Sequence, residues 1–341
     1  MADNVGEAAE RILGLTNKVL VTGGAGYIGS HACKALAVAG YTPVVYDNLS
    51  RGFEWAVKWG PFERGDLLDQ PRLEAVIRRH KPTAVMHFAA FAYVGESVAY
   101  PATYYRNNIV GSLALLDAMR AGGVDRLVFS SSCTTYGVRG TEPIGEDTPQ
   151  APVNPYGVTK LLIEQAMRDY AAAYGLRAVA MRYFNAAGAD PDGEIGEAHD
   201  PETHLIPLVL EAAAGGAPLT VFGDDYPTPD GTCIRDYVHV TDLASAHVLA
   251  CQTMDREGGF RAYNLGTGHG FSNMEIIAAA RRRTGAEIPI RIGPRRPGDP
   301  PELTADPRKA GRELGWTPRL SSVDDIIDTA WLWRQRRGPN E

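Results

Sequence analysis

The chain has 341 residues, 44% hydrophobic and 22% charged, the balance of a folded α/β enzyme rather than a disordered or membrane-spanning chain. Its 41 acidic and 34 basic side chains give a net charge of −7 with no long Lys/Arg run, which argues against a nucleic-acid groove. No run of about 18 apolar residues predicts a membrane span, and residues 1–17 read as an arm without the apolar core of a secretory signal. Cys33, Cys133, Cys233 and Cys251 are too widely spaced for a C-x-x-C or Cys/His metal motif, so a reduced cytoplasmic protein without structural zinc or any other metal is expected.

In chain order, Val19–Thr22 is an apolar strand running into Gly23, Gly26 and Gly29, spaced G-x-x-G-x-x-G, and then into a helix over Ser30–Ala39. One glycine makes the tight turn, one lets backbone approach a pyrophosphate, and one allows close helix packing, with Tyr27 and Ile28 between them. A second strand, Pro43–Tyr46, ends in Asp47 and Asn48, 18 residues beyond Gly29, where a carboxylate suits the hydroxyls of an adenosine ribose and favours NAD over its 2′-phosphate. Arg51 nearby leaves the phosphorylated form open. Asp66, Leu67 and the strand end Phe88-Ala89-Ala90 border the same predicted cofactor cleft.

Helices are predicted over Gln70–His80, Ala102–Ala121 and Tyr156–Tyr174, and strands over Ala84–Phe88, Leu127–Ser130 and Ala178–Tyr183. This alternation predicts an α/β fold with a Rossmann-type doubly wound parallel sheet and ligands at the carboxyl ends of its strands. The expected cofactor domain is 18–187 with a return segment at about 236–265, in which the strand Asp236–Val240 and the helix Thr241–Gln252 rejoin the main sheet. Residues 188–235 and 266–341, rich in Gly, Pro, Asp and His at their start, form a smaller α/β substrate-binding lobe. The Arg281-Arg282-Arg283 cluster reads as a helix C-terminus and Arg295-Arg296 as a phosphate-binding loop.

Asn154 and Pro155 start the helix carrying Tyr156 and Lys160 one turn apart. A phenol near pKa 10 is a poor base, but a neighbouring ammonium and a positive nicotinamide both favour its phenolate. Ser132, at the end of the fourth main strand, is placed to hydrogen-bond a reacting sugar oxygen. Cys133 beside it reads as packing.

With these motifs the chain resembles an extended short-chain dehydrogenase/reductase. Tyr46-Asp47-Asn48-Leu49-Ser50, His87-Phe88-Ala89-Ala90, Val94-Gly95-Glu96-Ser97, Arg182-Tyr183-Phe184-Asn185, Asp224-Asp225-Tyr226-Pro227-Thr228 and the run from Gly231 to Val240 narrow the resemblance to the UDP-glucose 4-epimerase group, over about residues 18–336. The resemblance implies NAD-dependent interconversion of UDP-glucose and UDP-galactose through a 4-keto sugar, with Tyr156 as acid/base, Lys160 its electrostatic partner and Ser132 assisting at the sugar O4. It also implies Asn107 and Asp66 at the nicotinamide and adenine sides, and Tyr183 and Phe184 beside the cofactor. Asn185, His204, Leu205, Thr220, Val221, Phe222, Arg235, Tyr237, Arg296, Asp299 and Leu303 would line the sugar-nucleotide site.

His204 stands where many members have an amide, and Ala92-Tyr93 replaces a Lys-Ala pair of some bacterial members. Leu303, where a bulky Tyr is said to exclude N-acetyl groups, implies a roomier pocket, so UDP-N-acetylglucosamine and UDP-arabinose or UDP-xylose stay open as substrates. Relatives pair helices 102–121 and 156–174 across a two-fold axis, implying a homodimer. A 4,6-dehydratase lacks its added carboxylic acid/base pair at Ser132-Cys133-Thr134. A net reductase would consume NADPH in bulk, and a non-catalytic dinucleotide-binding regulator is the reading from another class.

Overall fold

The computed structural model describes residues 17–138, 140, 142–254, 258–296 and 298–337, so nearly all of the expected N-terminal arm lies outside the described residues. Its centre is a seven-stranded sheet. In chain order the strands and helices of the first half are β1 (Lys18–Thr22), α1 (Tyr27–Val38), β2 (Thr42–Asp47), β3 (Phe62–Arg64), α2 (Gln70–His80), β4 (Ala84–His87), α3 (Val94–Ala99), α4 (Pro101–Tyr104), α5 (Gly111–Ala121), β5 (Arg126–Ser132), α6 (Pro155–Tyr174) and β6 (Arg177–Tyr183).

The second half adds β7 (Asn185–Ala187), α7 (Leu205–Ala213), β8 (Leu219–Phe222), β9 (Ile234–Arg235), β10 (Tyr237–His239), α8 (Val240–Thr253), β11 (Phe260–Leu265), β12 (Phe271–Ser272), α9 (Asn273–Thr284), β13 (Ile290–Gly293), β14 (Glu302–Leu303), α10 (Arg308–Leu314) and α11 (Val323–Arg337).

The sheet runs β3-β2-β1-β4-β5-β6-β11, and every pairing in it is parallel. Strand order reverses between β1 and β4, which opens a crevice at the carboxyl ends of the strands. The middle of β1, Val19-Leu20-Val21, is continuously apolar because both faces of a parallel sheet are covered. Its alternation sends Val19 and Val21 into one core with Leu36 and Leu243, and Leu20 into the other with Leu73 and Leu115. Helices α1 and α8 therefore cover one face, and α2 and α5 the other.

Two features depart from the sequence reading. The segment expected as one helix over 102–121 is interrupted by a π-helical turn, Tyr105–Val110, between α4 and α5. The expected strand at 236–240 does not enter the main sheet: β10 pairs with β7 in a separate two-stranded ribbon, and the returning strand is β11 beside β6. Thr22 ends β1 hydrogen-bonded to His87, so the two strand ends flanking the crevice are tied together at 2.7 Å.

A further apolar cluster joins α7, α9, α11 and the parallel pair β8–β13 through Val209, Leu210, Val221, Ile276, Ile277, Ile326 and Ile327. It is fastened to the sheet half by Lys34, whose ammonium meets Asp190 at 2.8 Å, and by Trp333, whose ring centroid lies 5.3 Å from that of Trp55. Among the described residues no helix is long and apolar enough to cross a membrane.

Candidate active site

The turn after β1 is shaped by close backbone approach. Gly23 has φ +74°, and a Cβ there would lie 2.5 Å from the Ala89 nitrogen; at Gly29 a Cβ would lie 2.1 Å from the Gly23 carbonyl oxygen. Gly26 is the N-cap of α1 and caps it with no side chain, leaving the helix start open towards the crevice. Such a glycine cradle with an unscreened helix N-terminus fits a dinucleotide pyrophosphate.

Asp47 is buried at the end of β2, where burial raises its carboxyl pKa; it accepts from Ala25 N at 3.0 Å and Leu49 N at 2.8 Å. These bonds hold the carboxylate at the crevice with acceptor capacity to spare for ribose hydroxyls. Asn48 donates to Asp66 at 2.8 Å, so the two predicted adenosine-side residues form one clip. Arg51 is not directed at Asp47: it pairs with Glu96 at 2.7 Å and lies 4.9 Å from the Tyr93 ring centroid. Its charge is met by Glu96 rather than left free at the cleft wall.

Tyr156 and Lys160 belong to the first turns of α6, begun by Asn154, whose side chain accepts from Gly157 N at 2.8 Å, and by Pro155 at N1. The Lys160 ammonium is buried, donates to the Ser130 carbonyl at 2.6 Å and lies 5.6 Å from the Tyr156 ring centroid. Burial lowers it to about 7, while Glu164 one turn further along pulls it up. Burial raises the Tyr156 phenol well above its usual value, and a hydrogen bond with Ser132 pulls it down. Lys160 thus fixes the floor beneath the phenol. In the protein alone it does not outweigh the desolvation that keeps Tyr156 protonated.

The three serines ending β5 divide their work by strand alternation. Ser130 accepts from the Tyr183 hydroxyl, Ser131 donates to Glu164 at 2.6 Å, and Ser132 accepts from Thr134 N at 3.2 Å and the Thr134 hydroxyl at 2.9 Å. Cys133 is buried with a raised thiol pKa, caused first by desolvation, consistent with packing.

A cleft of 1520 Å³ brings nearly all the predicted residues together. Its lining includes Gly23, Gly26, Tyr27, Ile28, Gly29, Asp47, Asn48, Asp66, Leu67, Phe88, Ala89, Ala90 and Asn107 on one side. Ser132, Tyr156, Tyr183, Phe184 and Asn185 stand in the middle, with His204, Leu205, Thr220, Phe222, Arg235, Tyr237, Arg296, Asp299 and Leu303 beyond. Two predicted residues are outside the lining. Lys160 sits behind Tyr156, and Val221 points into the apolar cluster because its neighbours Thr220 and Phe222 occupy the other face of β8.

At the far end Arg235 pairs with Asp299, and the Arg296 guanidinium stacks 4.1 Å from the Phe222 ring centroid. These two arginines and an aromatic face suit a nucleoside diphosphate. His204 turns its Nδ1 instead to Glu197 at 2.7 Å and Glu202 at 3.0 Å; burial lowers its pKa, but the carboxylates outweigh it and hold it at about 10.

Sequence reasoning missed the support below the site. Glu164 is fully buried, with Arg182 donating to it at 2.6 and 2.9 Å, and Arg182 continues to the Tyr136 hydroxyl at 2.8 Å, which donates to Asn264 at 2.8 Å. The spacing Tyr156-Lys160-Glu164 puts all three on one helix face and was the available signal. Asn108, turned inward by the π-helical turn, bonds Phe91 through both its amide atoms and Thr159 at 3.1 Å, bracing the loop that carries the cleft wall.

A model of the NAD dependent epimerase/dehydratase family matches residues 19–266. The chain is 52% identical over 322 residues to the UDP-glucose 4-epimerase of Rhizobium meliloti (strain 1021), covering 94% of this chain and 98% of that one. The crystal structure of UDP-glucose 4-epimerase from Brucella ovis in complex with NAD superposes with a TM-score of 0.90 at 58% identity, over 92% of this chain and 97% of that one. A UDP-glucose-4-epimerase structure from Stenotrophomonas maltophila with bound NAD and formylated UDP-arabinopyranose gives a TM-score of 0.91 at 44% identity, over 94% and 98%.

Proposed function

This chain belongs to the NAD dependent epimerase/dehydratase family, and we propose that it is an NAD-dependent UDP-sugar 4-epimerase interconverting UDP-glucose and UDP-galactose. The observation that carries the reading is the position of Tyr156 and Ser132 in one cleft between the glycine cradle and the Arg235/Asp299/Arg296 end.

Gly23, Gly26 and Gly29 would hold the cofactor's pyrophosphate, Asp47 its adenosine ribose, and the Asn48–Asp66 clip its adenine side. NAD held there would supply a hydride acceptor and donor for the sugar C4 and, while oxidised, a positive charge beside the phenol. With that positive charge and the Lys160 ammonium beside it, Tyr156 would stand as the phenolate, receive the proton of the sugar 4-hydroxyl and later give it back, with Ser132 holding the same oxygen. Lys160 supplies a buried ammonium beneath the phenol, fixed by the Ser130 carbonyl. Arg235 and Arg296 grip the diphosphate, so the sugar is free to present either face while its nucleotide stays anchored. Residues 18–187 with 236–265 serve the cofactor in this reading, and 188–235 with 266–341 the sugar nucleotide.

The test is to incubate the purified protein with NAD⁺ and UDP-galactose and separate the products. UDP-glucose without net NADH is the expected result, and no conversion would overturn it. Leu303 lines the cleft beside β9, and its modest side chain leaves room at the sugar. Leu303→Tyr is expected to reduce kcat/KM for UDP-N-acetylglucosamine relative to UDP-glucose by roughly tenfold, a steric discrimination of about 1–3 kcal/mol. An unchanged ratio would show that this position does not gate the N-acetyl group.

Val98, Tyr100, Val110, Leu113 and Leu162 leave apolar surface exposed on α3, α5, α6 and the segments between. A homodimer through this face is part of the proposal. Sedimentation of the purified chain is expected to give twice the monomer mass, and Val110→Glu to return it to monomer.

A further inference from the structure

Beside the cleft, four side chains of one short loop turn their donor atoms towards a common point. Glu197, His199, Glu202 and His204 each offer one ligand atom, and these atoms lie within 4.8 Å of one another. Both imidazole Nδ1 atoms approach the same Glu197 oxygen, at 2.8 Å from His199 and 2.7 Å from His204. Glu202 closes the ring with one carboxylate oxygen, Oε1, 3.0 Å from His204 and the other, Oε2, 3.9 Å from His199. Donors around a tetrahedral Zn²⁺ with bonds near 2.1 Å stand about 3.4 Å apart, which is the middle of this range.

We propose that Glu197, His199, Glu202 and His204 form a binding site for one divalent first-row transition ion of the Zn²⁺ type. The His199 and His204 spacing, H-x₄-H, is one that zinc sites use. Two carboxylates and two imidazoles balance a doubly charged ion once it displaces the proton that the carboxylates hold on His204, so the site is electroneutral when filled. Imidazole nitrogen with carboxylate oxygen selects a borderline ion over Mg²⁺ or Ca²⁺, which prefer all-oxygen sets. Four protein ligands leave no open position, which makes the ion structural rather than catalytic.

The loop is held in place to do this. Thr203 N and His204 N donate to Glu202 at 2.7 and 2.8 Å, Trp333 donates to the Glu197 carbonyl, and Arg51 donates to the Asp200 carbonyl at 3.0 Å. Tyr27 of the glycine turn and Tyr93 both pack edge-on to His199, with centroids 6.1 and 5.7 Å away. An ion here would staple the loop to the start of α7 and against the turn that opens α1. The expectation of no metal rested on cysteine spacing, and a histidine and carboxylate set lies outside what that spacing reads. The acidic trio Asp190, Asp192 and Glu194 is a different case, since Lys34 already meets all three.

The test uses the full chain, stripped with a chelator and dialysed. Titration with ZnCl₂ by calorimetry and metal analysis is expected to give one equivalent, and CoCl₂ to give the intense visible bands of tetrahedral coordination. His199→Ala and Glu202→Gln should each weaken Zn²⁺ binding by at least about 100-fold, the upper end of what losing even an outer-shell partner costs, whereas Asp192→Asn should bind as wild type does. Circular dichroism checks that the variants fold; if neither does, the wild-type cobalt spectrum decides. No uptake by the wild type, a six-coordinate spectrum, or folded variants that bind undiminished would each overturn the site. None of these readouts depends on epimerase activity.

Discussion

Tyr156→Phe is expected to lower kcat for the interconversion of UDP-galactose and UDP-glucose by about 10²–10⁴-fold, the usual contribution of a positioned acid/base. The ring would still fill its place at the start of α6, and Lys160 would keep its bond to the Ser130 carbonyl, so stability and NAD content should change little. A coupled assay with equilibrium denaturation beside it separates the two effects. The phenol's raised pKa sharpens the prediction, because burial makes Tyr156 neutral in the protein alone. Proton transfer then depends on the positive charge assembled around it, and no other hydroxyl can be substituted simply by proximity: Ser132 already accepts two bonds from Thr134. Full epimerisation by the variant would remove Tyr156 from the mechanism.

Glu164→Gln is expected to cost about 3–5 kcal/mol of stability, because it leaves the buried Arg182 guanidinium without its counter-charge. Glu164 and Arg182 have side-chain exposures of 0% and 2%, so solvent screens neither of them. Chemical denaturation of wild type and variant measures the loss, and a change below about 1 kcal/mol, the level of an exposed pair, would show that water reaches the network. The same variant carries a pH signature. Glu164 raises the Lys160 pKa from a value that burial otherwise lowers, so its removal moves that pKa further down, and the ammonium is lost at lower pH. The basic limb of activity should therefore shift to lower pH, below the value near 7 that burial and Glu164 together set for Lys160, by which a purely structural effect is distinguished.

The parallel sheet was legible because its strands are continuous apolar runs and its helices have clear starts, such as Asn154-Pro155 before Tyr156. β3 was not legible: Phe62–Arg64 is three residues at a sheet edge, too short for any period to appear. β10 was read as rejoining the main sheet, since a triplet such as Tyr237-Val238-His239 has the same pattern whichever strand it pairs with.

What the sequence by itself determined is the set of residues whose chemistry depends on local spacing: the glycine cradle, Asp47 eighteen residues after Gly29, and the Tyr156/Lys160 turn. Only the tertiary structure decided what depends on partners distant in the chain. Arg51 was drawn to Glu96 and away from Asp47, Glu164 found Arg182, and Val221 turned into the core while Thr220 and Phe222 faced the cleft. Spacing along one strand or helix fixes which face a side chain takes relative to its neighbours. Which face meets solvent, ligand or an opposite charge is set by the packing of the other elements, and a single strand or helix contains no information about that.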